Sequence, residues 1–183
     1  MNMPASTDKD LWISHDDYET SIVRLAQAVH ESGWKFDHVL CLARGGLRPG
    51  DIFSRIFDVP LAILSASSYR EESGTQQGDL DIAKHITMTK DVLAGRVLLV
   101  DDLVDSGVTL EKVQRHLREN FPAVVEVKSA VIWYKACSVL RPDFYVNHLE
   151  TNPWIHQPFE EYDSLRPQQL AAWLNKGEST SRK

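Results

Sequence analysis

The chain has 183 residues, 43% hydrophobic and 25% charged, which suits one soluble domain with a single sizeable core. No apolar run approaches the roughly 18 residues of a membrane span, and the polar start MNMPASTDKD lacks the basic and apolar regions of a secretory signal; no membrane partner is expected, and the cytoplasm is the expected location. The formal charge of −6 argues against nucleic acid as a partner, because phosphate backbones select basic surfaces. The two cysteines, Cys41 and Cys137, have no metal-ligand spacing and read as buried reduced thiols.

In chain order, Ser14 and Asp17 resemble a capping box. Tyr18, Ile22, Leu25 and Val29 then recur at helical spacing, and Gly33 ends the run. The apolar run His38 to Ala43 predicts a buried strand that leads directly into Arg44-Gly45-Gly46. A helix over Leu47 to Phe57 and a strand over Leu61 to Leu64 follow. Ser65 to about Ala94 predicts a long mobile loop, because Arg70 to Asp79 contains no aliphatic or aromatic residue.

Order resumes with a strand over Arg96 to Asp101, a helix from about Val108 and a strand over Val124 to Tyr134. Alternating strands and helices predict an α/β fold, a mostly parallel sheet covered on both faces. Arg141 to Tyr162 predicts a small irregular subdomain, Pro167 to Leu174 a terminal helix, and Gly177 to Lys183 a disordered tail.

The sharpest pattern is Val97-Leu98-Leu99-Val100-Asp101-Asp102-Leu103-Val104-Asp105-Ser106-Gly107-Val108-Thr109. Ligands of open α/β sheets bind beyond the carboxyl ends of the strands, and a helix N-terminus offers unpaired N–H groups to a phosphate. Gly107 allows close backbone approach, and Ser106 and Thr109 add hydroxyls. Asp101 and Asp102 can accept hydrogen bonds from a sugar diol or help hold a hard cation such as Mg²⁺. The plainer structural reading is a buried strand whose acids cap the next helix, with Asp105 as the N-cap.

This run resembles the phosphoribosyl pyrophosphate (PRPP) signature of type I phosphoribosyltransferases. Cys41 to Gly50 resembles the family's pyrophosphate loop, Ser67-Ser68-Tyr69 the start of its mobile catalytic loop, and Trp154 to Phe159 the base-binding hood of the bacterial xanthine-guanine branch. The likeness spans roughly Trp12 to Tyr162. It implies a single domain, with a core over about 12–135, a hood over about 136–162, and a helix and tail over 163–183. It implies Mg²⁺-dependent transfer of ribose 5-phosphate from PRPP to a purine base, in a homodimer or homotetramer.

By this resemblance Asp101 and Asp102 bind the ribose hydroxyls, and Asp102 contacts Mg²⁺. Asp105, Ser106, Gly107, Val108 and Thr109 wrap the 5′-phosphate, and Arg44 and Gly45 contact pyrophosphate. Asp105 exchanges a proton with the purine, Ser68 and Tyr69 begin the lid, and Lys135, Trp154 and Ile155 hold the base. Lys135 is a donor suited to a 6-oxo group, which favours guanine, xanthine or hypoxanthine over adenine or a pyrimidine. The alternatives are transfer to another base, or a PRPP- or nucleotide-sensing regulator on the same fold.

Three positions depart from the pattern. His156 stands where the xanthine-guanine enzyme has an acid beside the purine 2-position, which leaves the choice of 6-oxopurine open. Arg70 to Lys84 is unlike that enzyme's lid. Ala43 precedes Arg44 where a hydroxyl residue is common.

Overall fold

The computed structural model describes residues 9–68, 80–90 and 92–180. The elements are β1 (Asp10–Trp12), α1 (His15–Glu31), β2 (His38–Ala43), α2 (Leu47–Phe57), β3 (Leu61–Ser68), β4 (Leu80–Ile82), β5 (Thr87–Met88), β6 (Gly95–Val104), α3 (Val108–Asn120), β7 (Val124–Lys135), β8 (Phe144–Leu149), β9 (Trp154–His156), α4 (Glu161–Ser164), a 3₁₀ turn (Pro167–Gln169) and α5 (Leu170–Thr180). They form two compact units, a larger one over Glu19–Asn152 and a smaller one joining Met1–Tyr18 to Pro153–Lys183.

The larger unit is built on a seven-stranded sheet in the order β4-β3-β2-β6-β7-β8, with β5 also pairing β3. β3, β2, β6, β7 and β8 are mutually parallel, whereas β4 and β5 run antiparallel to β3. From β2 the chain first goes to one side, to β3, and then returns to the other, to β6 and β7. In such doubly wound sheets the order reverses between two neighbouring strands, and a crevice opens at their carboxyl ends. Here those strands are β2 and β6.

The sequence pattern explains the layering. Successive strand residues face opposite sides. Leu40 and Leu42 of β2 with Val97 and Leu99 of β6 join the cluster that includes Leu110, Val113 and Leu117 of α3. Val39 and Cys41 face the other way, where α2 lies so close that a Cβ on Gly50 would overlap Cys41 Sγ and reach 3.6 Å from Val39 Cγ1. Helices therefore cover both faces. Ser14 caps α1 as expected: the Asp17 N–H donates to Ser14 Oγ at 3.1 Å, and that hydroxyl donates to Asp17 Oδ2 at 2.6 Å. Tyr18, Ile22, Leu25 and Val29 are all buried.

Gly50→Ala is expected to destabilise the protein. Alanine ordinarily gains about 0.5–1 kcal/mol over glycine inside a helix, but overpacking costs about 1–3 kcal/mol. A lower Tm in a thermal melt checks this; a higher one would show that β2 and α2 can part without cost. Cys41 itself is inert in the fold, because burial, with Asp101 and Asp51 nearby, pushes its thiol up to about 12.

Five features differ from the sequence expectations. β3 continues to Ser68, and the presumed loop contains β4 and β5, because Ile82, Ala83, Ile86 and Met88 pack onto the core. Tyr69 and Arg70 to Asp79 lie outside the described residues. β8, read from sequence as irregular, is an edge strand of the main sheet; its polar Asn147 and His148 masked it. β1 was not anticipated, and it pairs in parallel with β9. α5 runs to Thr180, past the expected end at Leu174. Cys137 is exposed, not buried, because it lies just beyond β7 in a turn.

Candidate active site

β6 carries Asp101 and Asp102 within its last four residues and runs on to Val104, past the expected end at Asp101. Asp101 Oδ1 accepts from the Asp102 N–H at 2.9 Å, which fixes the first carboxylate against the backbone. Burial, and then the Asp102 carboxylate beside it, push the Asp101 carboxyl well above the usual carboxylate range. A carboxyl raised in the folded state contributes stability that is fully present below its unfolded value of about 4 and is lost as pH rises through the folded one. Asp101→Asn should therefore match the unliganded wild type in Tm near pH 4 and exceed it at pH 8. A constant difference across that range would contradict the crowding of the acid pair.

The neighbouring strand ends in the other predicted loop. β2 leads through a cis Ala43–Arg44 peptide into Gly45 and Gly46. A Cβ on Gly45 would strike Asp102 Oδ1 and lie 2.6 Å from its Cγ. A Cβ on Gly46 would strike the Val100 carbonyl. The two-glycine loop thus passes directly over the end of β6, in the crevice where the strand order reverses. Arg44 stands exposed at its start. Arg48 turns instead to α1, where its Nε donates to Glu19 Oε1 at 2.6 Å.

After β6, Asp105, Ser106 and Gly107 form a tight loop into α3. The helix N-cap is Gly107, with φ 81°. Asp105 is therefore not the N-cap that the structural reading of the sequence offered, because it lies two residues too early. The Val108 N–H donates to Ser106 Oγ in a long bond of 3.4 Å. The N-cap glycine supplies no side chain of its own, so the start of α3 is weakly capped, an arrangement that receives an anion. The segment after β7 braces the loop: the Val139 N–H donates to the Ser106 carbonyl at 2.9 Å, and a Cβ on Gly107 would strike Ser138 Oγ and lie 2.9 Å from the Leu140 nitrogen.

Lys135 ends β7 and is 4% exposed. Its Nζ lies 3.2 Å from Asp105 Oδ2, on a side chain that is 57% exposed. This pair joins the proton-exchange and base-recognition candidates, and nothing in the sequence pointed to it. Cys137 Sγ also lies 3.7 Å from Asp105 Oδ1.

In the larger unit the fold therefore brings together Arg44, Gly45, Asp101, Asp102, Asp105, Ser106, Gly107, Val108, Thr109 and Lys135. Trp154 and Ile155 belong to the smaller unit, on β9, with Trp154 half exposed and Ile155 buried. Of the lid candidates, Ser68 ends β3, and Tyr69 is outside the described residues.

A reversing parallel sheet with paired acids, a glycine loop and a weakly capped helix start at the reversal defines a doubly wound α/β protein of the nucleotide- and phosphosugar-handling kind. The chain belongs to the phosphoribosyl transferase domain family, whose profile matches residues 14–164, and it is a phosphoribosyltransferase. It is 30% identical over 156 residues to the xanthine-guanine phosphoribosyltransferase of Idiomarina loihiensis, covering 81% of this chain and 90% of that protein. It is similar in structure to a purine phosphoribosyltransferase from Pyrococcus horikoshii, with a TM-score of 0.70 and 29% identity over 87% of this chain and 99% of that one. The Helicobacter pylori xanthine-guanine-hypoxanthine phosphoribosyltransferase shares the fold, with a TM-score of 0.65 at 24% identity over 84% of this chain and 95% of that one. Among the described residues no helix is long and apolar enough to cross a membrane.

Proposed function

We propose that the protein transfers ribose 5-phosphate from PRPP to a 6-oxopurine (guanine, xanthine or hypoxanthine), releasing pyrophosphate and the nucleoside 5′-monophosphate, as in purine salvage. The observation that carries this reading is the seating of Gly45 against Asp102 at the sheet's reversal. The closeness of the Arg44-Gly45 loop to the Asp102 carboxylate supports reading them as the pyrophosphate and ribose contacts of one ligand. The name of the Idiomarina relative supports the choice of base.

In this reading the amides from Asp105 to Thr109 hold the 5′-phosphate, with Ser106 and Thr109 adding hydroxyls. Asp101 and Asp102 accept from the ribose hydroxyls. Arg44 and the Gly45 backbone hold the pyrophosphate, for which the guanidinium fork is well matched. The reaction is displacement at the anomeric carbon by a ring nitrogen, so the protein's contribution is positioning and charge stabilisation. Asp105 takes up or shares the purine proton as N9 reacts. Lys135 donates to O6, and Trp154 and Ile155 contact the base. Ser68 and Tyr69 open the lid that excludes water.

The donor set fits Mg²⁺. Among the described residues no three His, Cys, Asp or Glu side chains converge into a protein cage, but Mg²⁺ ordinarily uses one or two carboxylates together with substrate phosphates. The crowded pair Asp101 and Asp102 supplies that number, with Asp102 as the contact. Mg²⁺ held there would supply charge neutralisation for the leaving pyrophosphate.

The test is product formation from PRPP and Mg²⁺ with guanine, xanthine, hypoxanthine, adenine, uracil and orotate offered separately. Nucleotide from 6-oxopurines alone is expected. Turnover of adenine or a pyrimidine would remove the roles given to Lys135 and Trp154.

A further inference from the structure

His156 stands where an acid is expected, and the smaller unit shows what has replaced it. Its Nε2 lies 2.8 Å from Asp10 Oδ1 on β1, and its Nδ1 lies 3.1 Å from Glu160 Oε2 in the turn before α4. Ionised carboxylates only accept hydrogen bonds, so an imidazole that satisfies both must donate from both nitrogens and carry a positive charge. The Trp12 ring stacks on it with centroids 3.7 Å apart and planes 9° from parallel, an arrangement that favours a cation. The other oxygen of Glu160, Oε1, accepts from the Trp154 indole N–H at 2.9 Å. A continuous chain thus runs from Asp10 through His156 and Glu160 to Trp154. It lies alongside the pairing of β1 with β9, in which Leu11 is opposite Ile155. A carboxylate at position 156 would stand between two others and break this chain by repulsion, so the departure at 156 belongs with Asp10 and Glu160.

We propose that Asp10, His156 and Glu160 are positioning residues for base recognition: a carboxylate–imidazolium–carboxylate clamp that fixes the indole of Trp154. His156 then does not contact the purine 2-position. The clamp needs both ring N–H groups, because a ring with one N–H must turn a lone pair toward one of the two acids. The charged groups facing the ring are Asp10 from β1 and Glu160 from the turn before α4. This inference rests on the proposed role of Trp154 in binding the base.

The experiment is steady-state kinetics of wild type, His156→Gln and Glu160→Gln with guanine and PRPP. Glutamine can serve one carboxylate but not both. His156→Gln is expected to raise the KM for guanine about tenfold, the scale of one lost charged hydrogen bond. The KM for PRPP should stay unchanged within about twofold, and Glu160→Gln should shift the guanine KM in the same direction. A guanine KM for His156→Gln near that of wild type overturns the clamp while leaving the proposed function intact. A parallel rise in the KM for PRPP also overturns it, since that marks general damage. Absence of turnover by the wild type with any base overturns the functional reading, and the clamp's role falls with it.

Discussion

Asp105→Asn is expected to lower kcat with a 6-oxopurine by about 10²- to 10⁴-fold, the range of a lost general acid–base group, while the KM for PRPP changes little. Asparagine keeps an oxygen at the position of Oδ2, so Lys135 retains a hydrogen-bond acceptor at the site now 3.2 Å away. In the proposed site the loop holds phosphate through its backbone, which the Val139 N–H braces at the Ser106 carbonyl, and the substitution touches neither. What disappears is the proton acceptor. The Asp105 side chain is more than half exposed, so a base can reach it. Separate measurement of kcat, both KM values and Tm checks this; kcat within a few-fold of wild type would remove Asp105 from the chemistry.

Lys135→Met should separate stability from activity. Lys135 is almost wholly buried, and the anion paired with it is more than half exposed, so water screens the partner while the ammonium bears most of the desolvation. Replacing a buried charge with an apolar side chain of similar volume is often neutral or stabilising. Methionine leaves Asp105 unpaired but in contact with solvent. Tm is therefore expected to hold or rise. Loss of one charged hydrogen bond to O6, about 1.5–3 kcal/mol, should lower kcat/KM for guanine by about 10- to 150-fold, with no matching penalty for adenine. A large fall in Tm with base selectivity unchanged would make Lys135 a structural residue.

The parts of the site that were legible in sequence are those where one strand runs into one loop. Val97 to Thr109 and Cys41 to Gly50 each announce a buried strand and the chemistry at its end within a dozen or so residues, and both strands lie at the sheet's centre. The fold class followed from the same alternation. Partnerships across long separations were illegible. Asp105 and Lys135 are 30 residues apart and His156 and Asp10 are 146 apart, and no local pattern signals either pair. β8 was missed because the consecutive polar residues Asn147 and His148 interrupt its apolar run, which an edge strand tolerates. β4 and β5 were missed because the glycine-rich, apolar-free stretch before them coloured the reading of the whole segment. The N-cap that the plainer structural reading offered to Asp105 falls on Gly107, because composition shows which residues can cap but not where the helix begins.

The most direct test of the central claim is calorimetric binding of PRPP to wild type and to Asp102→Asn, with and without Mg²⁺. If the acid pair and the Gly45 loop form one PRPP site at the reversal of the sheet, the wild type binds PRPP one to one. Mg²⁺ tightens that binding, and Asp102→Asn loses most of the tightening while keeping its Tm. A wild type that binds no PRPP, or a variant that binds it equally well with the same Mg²⁺ dependence, would contradict the account.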